Sequence, residues 1–573
     1  MQKIIFSLLL LAGTTSLAQI NLIKDIHPSN KTYPNVPFNE IPRGYWGGYQ
    51  VDNYLYFIGD DSIHGKEPWI TDGTSDGTFM IGDLYPGQQN PYTTSVSSIY
   101  ARTGNYLFQV AFDTTNQQSI WVYDIQDPGN PSVQGNLIPS GSGRWHIESE
   151  LIAYKNHIYF AASSRGSSGN VELWRANEQE VERFEDLMPG SRSSNPRQFF
   201  IFKDYLYFIA DNDTADYELW RTDGQMTELF ANLNPDGRIF LSGVAELNGE
   251  LILMIENGYP NDIDQFGYAL WKSDGTPGGT EMIFDFPNEY EEPAIQSGQN
   301  FIEYNGSLFF WASDSIHGYE LWRTDGTTAG TYMVKDMEPG IASSNNEGNR
   351  AQEGILHGTV LNGTLYFRRF GPSKIENWKT DGTAAGTLSA NNDWIGSFLL
   401  NGYAGYPVEY QGKILGFSIN GTFNSDEIIW SDGTPGSTQI LQELMPGSIP
   451  SAPSELWVLG DKLVFSAQDP VYGFELRTVD LNTVSVEEEF VQGGVTVFPN
   501  PGEDRVYIQL DDFAQMGIEN IHLLDLTGKV VAANSVVECN NWELETGGLV
   551  SGMYLIRIQF SNGDFETRKW LKR

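Results

Sequence analysis

One internal repeat constrains this chain more than any other feature. Its fullest copy reads Tyr319-Glu320-Leu321-Trp322-Arg323-Thr324-Asp325-Gly326-Thr327, then Gly330-Thr331, then Val334-Lys335-Asp336-Met337-Glu338-Pro339-Gly340. Related copies carry Trp69 with Asp72, Trp220 with Asp223, Trp271 with Asp274, Trp378 with Asp381 and Trp430 with Asp432, next to the full copy at Trp322 and Asp325. Worn copies lie at Trp121 and Trp174, and a ninth, Glu475-Leu476-Arg477-Thr478, lacks the Trp. Successive Trp positions differ by 52, 53, 46, 51, 51, 56 and 52 residues. That spacing suits one four-stranded propeller blade per repeat, and such a unit buries its apolar face only by stacking on its neighbours.

Within each unit a short apolar run precedes the Trp, as in Tyr54-Leu55-Tyr56-Phe57-Ile58, Tyr205-Leu206-Tyr207-Phe208-Ile209 and Ser307-Leu308-Phe309-Phe310-Trp311. A strand apolar on both sides is buried on both sides, as the inner strands of stacked blades are. Asn305-Gly306, Asn362-Gly363 and Gln411-Gly412 stand before such runs and carry hairpin-turn chemistry. The fold class expected is therefore all-β: a propeller-like ring of about eight to nine four-stranded repeats. The recurring Asp of the Asp-Gly turns reads as a turn residue whose side chain bonds nearby amides. Catalysis needs one site, so a carboxylate repeated in nearly every unit is structural. Each Trp is expected between neighbouring blades, burying roughly 150–250 Å². Arg175, Arg221 and Arg323 each follow a Trp and read as strand-surface residues. His64 and His317, in the matching segments Asp61–Gly65 and Asp314–Gly318, read as turn residues and not as partners in a metal site.

Leu22-Ile23-Lys24-Asp25-Ile26-His27-Pro28-Ser29 repeats the segment that follows the Asp turn at Met333–Gly340, yet it precedes the first complete unit. It is expected to complete the last blade and close the ring; Thr483-Val484-Ser485-Val486 is the competing candidate. Ahead of it, Lys3, the apolar stretch Ile4–Ala12 and Ser16-Leu17-Ala18 before Gln19 have the pattern of a signal peptide, with cleavage between Ala18 and Gln19. The formal charge of -40, from 74 acidic and 34 basic residues, opposes binding to phosphate backbones and anionic lipid. Cys539 is the single cysteine, so no intrachain disulfide can form.

The repeat resembles the Glu-Leu-Trp-x-x-Asp-Gly-Thr family of repeats in secreted bacterial proteins, over about residues 45–480. The resemblance implies β-rich units in propeller-like rings and brings no defined activity. After Glu487-Glu488-Glu489 and Gly493-Gly494 the repeat ends and a module of short alternating strands begins, which reads as a small β-sandwich. This module resembles the type A sorting domain of the type IX secretion system. The residues that carry the likeness are Pro499-Asn500-Pro501, Asp525 with Gly528 and Lys529, Leu549, Gly552 with Tyr554, and the basic end Lys569, Lys572 and Arg573. By that resemblance Asp525 and Gly528 form a turn, Lys572 and Arg573 form an exposed tail, and the type IX machinery is a partner.

The expected organisation is a signal peptide at 1–18, a repeat domain at 19–486, a linker at 487–494 and a sorting domain at 495–573. The expected protein is exported through the periplasm to the cell surface or medium as a monomer without transmembrane segment, and serves as a binding or adhesion module for a glycan or protein ligand. The alternative is a propeller-scaffold enzyme acting on extracellular polysaccharide, a hydrolase or lyase. No catalytic, cofactor or metal residue is assigned. Calcium at the acidic insert Asp211-Asn212-Asp213-Thr214-Ala215-Asp216 is the one cofactor considered, although the insert lacks the Gly and distal Glu of an EF-hand loop.

Overall fold

The computed structural model describes residues 19–27, 45–482 and 495–572, except for connections at 85, 87–99, 113–116, 139–144, 164–168, 213–216, 235–236, 260–261, 287–300, 315, 341–357, 371–374, 391–392, 394, 396–397, 399–406, 419–426, 435, 443, 445–450, 470, 499–504, 511–517, 526–528, 534, 538–540, 551 and 561–564. The chain divides into two compact units, residues 1–485 and 486–573.

The larger unit is a ring of nine antiparallel blades among the described residues. Blades 1 to 8 span Tyr45–Met80, Tyr100–Leu137, His146–Glu185, Arg197–Ala231, Arg238–Phe286, Ile302–Lys335, Gly358–Ser389 and Val408–Ile440. Blade 9 takes three strands from Ser454–Asp480 and its fourth from Asn21–Leu22. Blades 1 to 8 have four strands in chain order, and blade 3 has one short extra strand at His146–Ile147.

In all nine blades the first and second strands are joined by a two-residue turn with a left-handed first residue, as in Asp52 (φ 52°), Lys203 (φ 51°), Asn305 (φ 50°) and Gly460 (φ 63°). This tight turn matches the right-handed twist of paired strands, which explains the Asn-Gly and Gln-Gly pairs at four of them.

The second strands are buried on both faces. Leu206, Tyr207, Phe208, Ile209 and Ala210 of blade 4 are all fully buried. Leu206, Phe208 and Ala210 pack toward blade 3, and Tyr207 and Ile209 toward blade 5. Such alternation is the period-2 geometry of a strand between two sheets. The same arrangement gives an apolar cluster at every junction of successive blades. A ninth cluster joins Leu459, Val464 and Leu476 of blade 9 to Leu55, Phe57 and Trp69 of blade 1, with Ile23 and Ile26 between them. That cluster makes the ring continuous. First strands of neighbouring blades approach one another, so they lie toward the axis and the fourth strands form the rim.

The N-terminal segment thus takes the closing position, with Asn21 opposite Thr478 and Leu22 opposite Arg477. The competing segment 483–486 lies outside the described residues.

The smaller unit is a two-sheet sandwich. One sheet contains Val495–Phe498, Arg505–Leu510, Asn541–Glu545 and Ser535–Val537; the other contains Val530–Ala533, Ile518–Leu524, Gly552–Phe560 and Phe565–Lys572. Val506, Ile508, Ile521, Leu523, Leu544, Tyr554, Ile556, Ile558 and Trp570 fill its core.

Candidate functional site

The alternating strand directions sort all connections of the ring onto two faces. Turns joining first to second and third to fourth strands share one face. Hairpins joining second to third strands, and connections to the next blade, share the other.

On the first face, five blades carry one and the same Asp turn. In blade 6 the Thr327 amide and hydroxyl both donate to Oδ1 of Asp325 (3.0 and 2.7 Å), while the Gly330 amide donates to Oγ1 of Thr327 (3.0 Å). The Thr331 hydroxyl donates to the Thr327 carbonyl (2.7 Å) and lies 2.7 Å from Oγ1 of Thr324. Asp72, Asp274, Asp381 and Asp432 accept the same pair of bonds from Thr74, Thr276, Thr383 and Thr434. Asp223 instead accepts from the amides of Gln225 and Met226, both at 2.8 Å. Bonds from Thr276 and Thr383 hold the carboxyls of Asp274 and Asp381 below the usual carboxylate range.

These turns also lock successive blades together. Lys155 Nζ donates to the Asp223 carbonyl and Lys203 Nζ to that of Asp274, both at 2.5 Å. Arg175 Nη1 donates to Gly224 O (3.1 Å) and Arg221 Nη1 to Gly275 O (2.8 Å). Arg175 and Arg221 therefore bridge blades, where the sequence had suggested plain strand-surface residues. Arg323 Nη2 donates to Ser307 Oγ (2.5 Å).

The Trp residues pack as side chains between blades. Trp69, Trp220 and Trp322 are 7, 7 and 6 % exposed, and Trp322 lies against Phe284 and Phe286 of blade 5 (5.5 and 5.1 Å between ring centroids). Trp271 and Trp378 are half-buried at the equivalent junctions. Trp430 needs a correction. It sits one residue beyond the Trp position, with Ile429 facing blade 7 and Trp430 facing blade 9. A one-residue offset in a strand moves a side chain to the opposite face.

The Glu of the repeat has a function that the sequence reading missed. Glu67, Glu172, Glu218, Glu320, Glu427 and Glu475 are fully buried. Each accepts a backbone N–H from the segment at or just beyond the fourth strand of its blade: Leu84, Leu187, Leu233, Met337, Leu444 and, from the N-terminal segment, His27, at 2.8, 3.1, 2.8, 3.0, 3.5 and 2.9 Å. The signal available was the fixed distance from this Glu to the Leu or Met of the later segment, 17 residues in three units and 15 in two. Blade 7 departs from the rule. There Arg369 binds Glu376 (3.0 Å) and Glu338, and Asn377 donates to the carbonyls of Ile395 and Phe398 (2.8 Å each).

The second face differs from blade to blade. Its connections range from 232–237, between blades 4 and 5, to 336–357, between blades 6 and 7. Its hairpins at 61–65 and 314–318 are capped by Asp61 and Asp314, which accept the amides of His64 and His317 (2.7 and 2.6 Å) and contact their Nδ1 atoms (2.6 and 2.8 Å). Ile63, Ile316 and Val471 stand out from equivalent hairpins of blades 1, 6 and 9, exposed by 67, 67 and 58 %. Among the described residues no group of three or more His, Cys, Asp or Glu could hold a metal ion. The insert considered for calcium falls largely at 213–216, outside the described residues.

Blade 9 concentrates buried charge where the N-terminal segment docks. Arg477 occupies the position of the Trp, is 3 % exposed, and pairs with Asp469 Oδ2 at 2.5 Å. Glu475 lies two residues away on the same face. Burial pushes its carboxyl up to about 8, with nearby Asp25 adding to the rise and the amides of His27 and Ile26 opposing it.

In the smaller unit, the Asp525 amide donates to Lys529 O (3.0 Å) and the Lys529 amide to Asp525 Oδ1 (3.1 Å), closing a turn. Tyr554 donates to Val550 O (2.9 Å) and stands beside buried Trp570. Gly552 pairs with Lys572, and Leu555 with Lys569. Lys572 is only 6 % exposed, because the last strand carries it into the sheet; the expectation of an exposed tail fails there. Pro499, Asn500, Pro501, Gly528 and Arg573 lie outside the described residues, as does Ala18, while Gln19 is exposed.

Residues 496–573 match the family described as secretion system C-terminal sorting domain. No curated protein matches the chain. Among solved structures, the chain is similar to puromycin hydrolase (11 % identity, 75 % of this chain and 59 % of that one, TM-score 0.37). It is also similar to dipeptidyl peptidase 4 of Porphyromonas gingivalis (8 %, 73 and 65 %, 0.39) and to the β-propeller domain of the Trilobed protease of Pyrococcus furiosus (10 %, 62 and 99 %, 0.28). The match thus spans 59 % of the puromycin hydrolase chain. The sorting domain, of the type IX kind, marks the protein for export to the cell surface or extracellular space. No helix among the described residues is long and apolar enough to cross a membrane.

Proposed function

We propose that the ring is a binding module which the sorting domain delivers outside the cell, and that its second face meets the ligand. The contrast between the faces carries this reading. The turns of the first face are consumed in holding blades together, through bonds such as Arg221 to Gly275 and Lys203 to Asp274. The second face sets connections of unequal length and the apolar tips Ile63, Ile316 and Val471 on the same scaffold. Variable loops on a rigid frame are where recognition evolves without cost to the core. The ligand expected is an extracellular glycan or protein.

A glycan array and a surface-protein pull-down with the mature protein test this. Binding that Ile63→Asp plus Ile316→Asp abolishes, at an unchanged melting temperature, supports the reading. Binding unaffected by those changes but lost on altering first-face turns overturns it. Release of oligosaccharide from an array polymer would establish the enzymatic alternative instead.

A further inference from the structure

The fourth strand of blade 9 is not joined by a turn to that blade's other strands, and its contacts form a complete recognition set. Ile23 N donates to Leu476 O (3.1 Å), His27 N to Glu475 Oε1 (2.9 Å) and Ile20 N to Gln442 Oε1 of the loop after blade 8 (2.7 Å). Lys24 Nζ reaches the Thr78 carbonyl of blade 1 (2.5 Å). Ile20, Ile23 and Ile26 are buried to 5, 3 and 3 % exposure. Two of these contacts reproduce those of an uninterrupted blade: in blade 6 Lys335 Nζ donates to Thr387 O (2.7 Å) and Glu338 N to Glu320 Oε1 (3.2 Å).

We propose that the edge of blade 9, with Glu475, Gln442 and the blade 1 turn, is a peptide-recognition site for an extended segment of the form apolar-Lys-Asp-apolar, and that it accepts this segment in trans from a second copy of the chain. An open strand edge binds by main-chain pairing, and side-chain pockets set which sequence it takes. Here the pairing partners are Leu476 and Glu475, the apolar pockets take Ile23 and Ile26, and the cation socket is the Thr78 carbonyl. A second copy presents the same side chains to the same groups. The chain's own segment prevails only through its high effective concentration, an advantage that tethering confers without any added contact.

The test uses full-length mature protein with a protease recognition sequence placed at 31–36. After cleavage, the folded protein is incubated with an isotope-labelled peptide of residues 19–29, and the bound segment is identified by native mass spectrometry. The result expected is replacement of the resident segment by the labelled one, saturable with concentration. Peptides carrying Lys24→Glu or Ile23→Asp should compete about tenfold or more weakly, which corresponds to about 1.4 kcal/mol. A second variant, intact Ile23→Asp, should bind the added wild-type peptide readily, and unmodified intact protein should take it up only at higher concentration, where it overcomes the tethered segment. Retention of the resident segment without exchange, or equal competition by all three peptides, would overturn the proposal.

Discussion

Gly330 lies against the carboxylate of Asp325: a Cβ built on Gly330 falls 2.0 Å from Oδ1 of Asp325. Gly77, Gly279 and Gly386 stand in the same relation to Asp72, Asp274 and Asp381, at 2.2, 2.2 and 2.1 Å. The glycine that ends each full Asp turn is there because the aspartate fills the space of a side chain.

Gly330→Ala should therefore destabilise the ring, and prior removal of the carboxylate with Asp325→Ala should relieve part of the cost. A double-mutant cycle on denaturant midpoints is expected to give a coupling of about 1–2 kcal/mol, within the range for residues in contact. Additive effects would show that the steric conflict is absorbed elsewhere.

Trp322→Ala should cost about 3–5 kcal/mol, the usual effect of emptying a buried aromatic site. Trp322 packs onto blade 5, whereas Trp430 packs onto blade 9. Trp430→Ala should accordingly loosen the junction that carries Ile20, seen as faster hydrogen exchange in residues 20–26, and Trp322→Ala should leave that segment protected.

Ring stability should fall as pH rises from about 4.5 toward 8. Burial raises the Glu475 carboxyl from 4.5 to about 8, so the folded ring keeps a proton there that the unfolded chain releases. A group raised in the folded state contributes stability that is full below its unfolded value and is lost as pH climbs through the folded one. Glu172, raised by burial to about 7, adds to the same slope. Thermal melts of Glu475→Gln across this interval should show a shallower decline; an unchanged slope would rule out Glu475 as its source.

Much of this fold could be read from local chemistry. Asn305-Gly306 and Asn362-Gly363 demand a left-handed turn, and Tyr205–Ile209, apolar at every position, demands burial on both faces. The closing segment was legible because Leu22–His27 repeats Met333–Glu338. The task of Glu320 was not, because its partner is a main-chain amide 17 residues away, marked in the sequence only by the recurring spacing to the Leu or Met that carries it. The offset of Trp430 was hidden by aligning on the Trp; aligning on Asp432-Gly433 would have placed Ile429 in its slot. The second face stayed illegible for a different reason: its connections differ from unit to unit, and repetition was the instrument of the reading.

Deleting residues 495–573 should abolish surface display or release of the protein, since these residues contain the sorting domain. Cell fractionation with antibody against the ring checks this. Normal display of the shortened protein would show that another segment directs export.

The composite blade 9 also sets how the ring would bear force. The chain leaves the ring from the strand Gly473–Asp480, which is paired on one side to Lys462–Asp469 and on the other to Asn21–Leu22. Tension applied beyond Asp480 must slide that strand past two neighbours at once, breaking rungs on both sides together. A ring whose last strand lay at a free edge would instead peel open one rung at a time. Closing the circle with its own first residues makes the point of attachment the place where this protein resists a pull in shear.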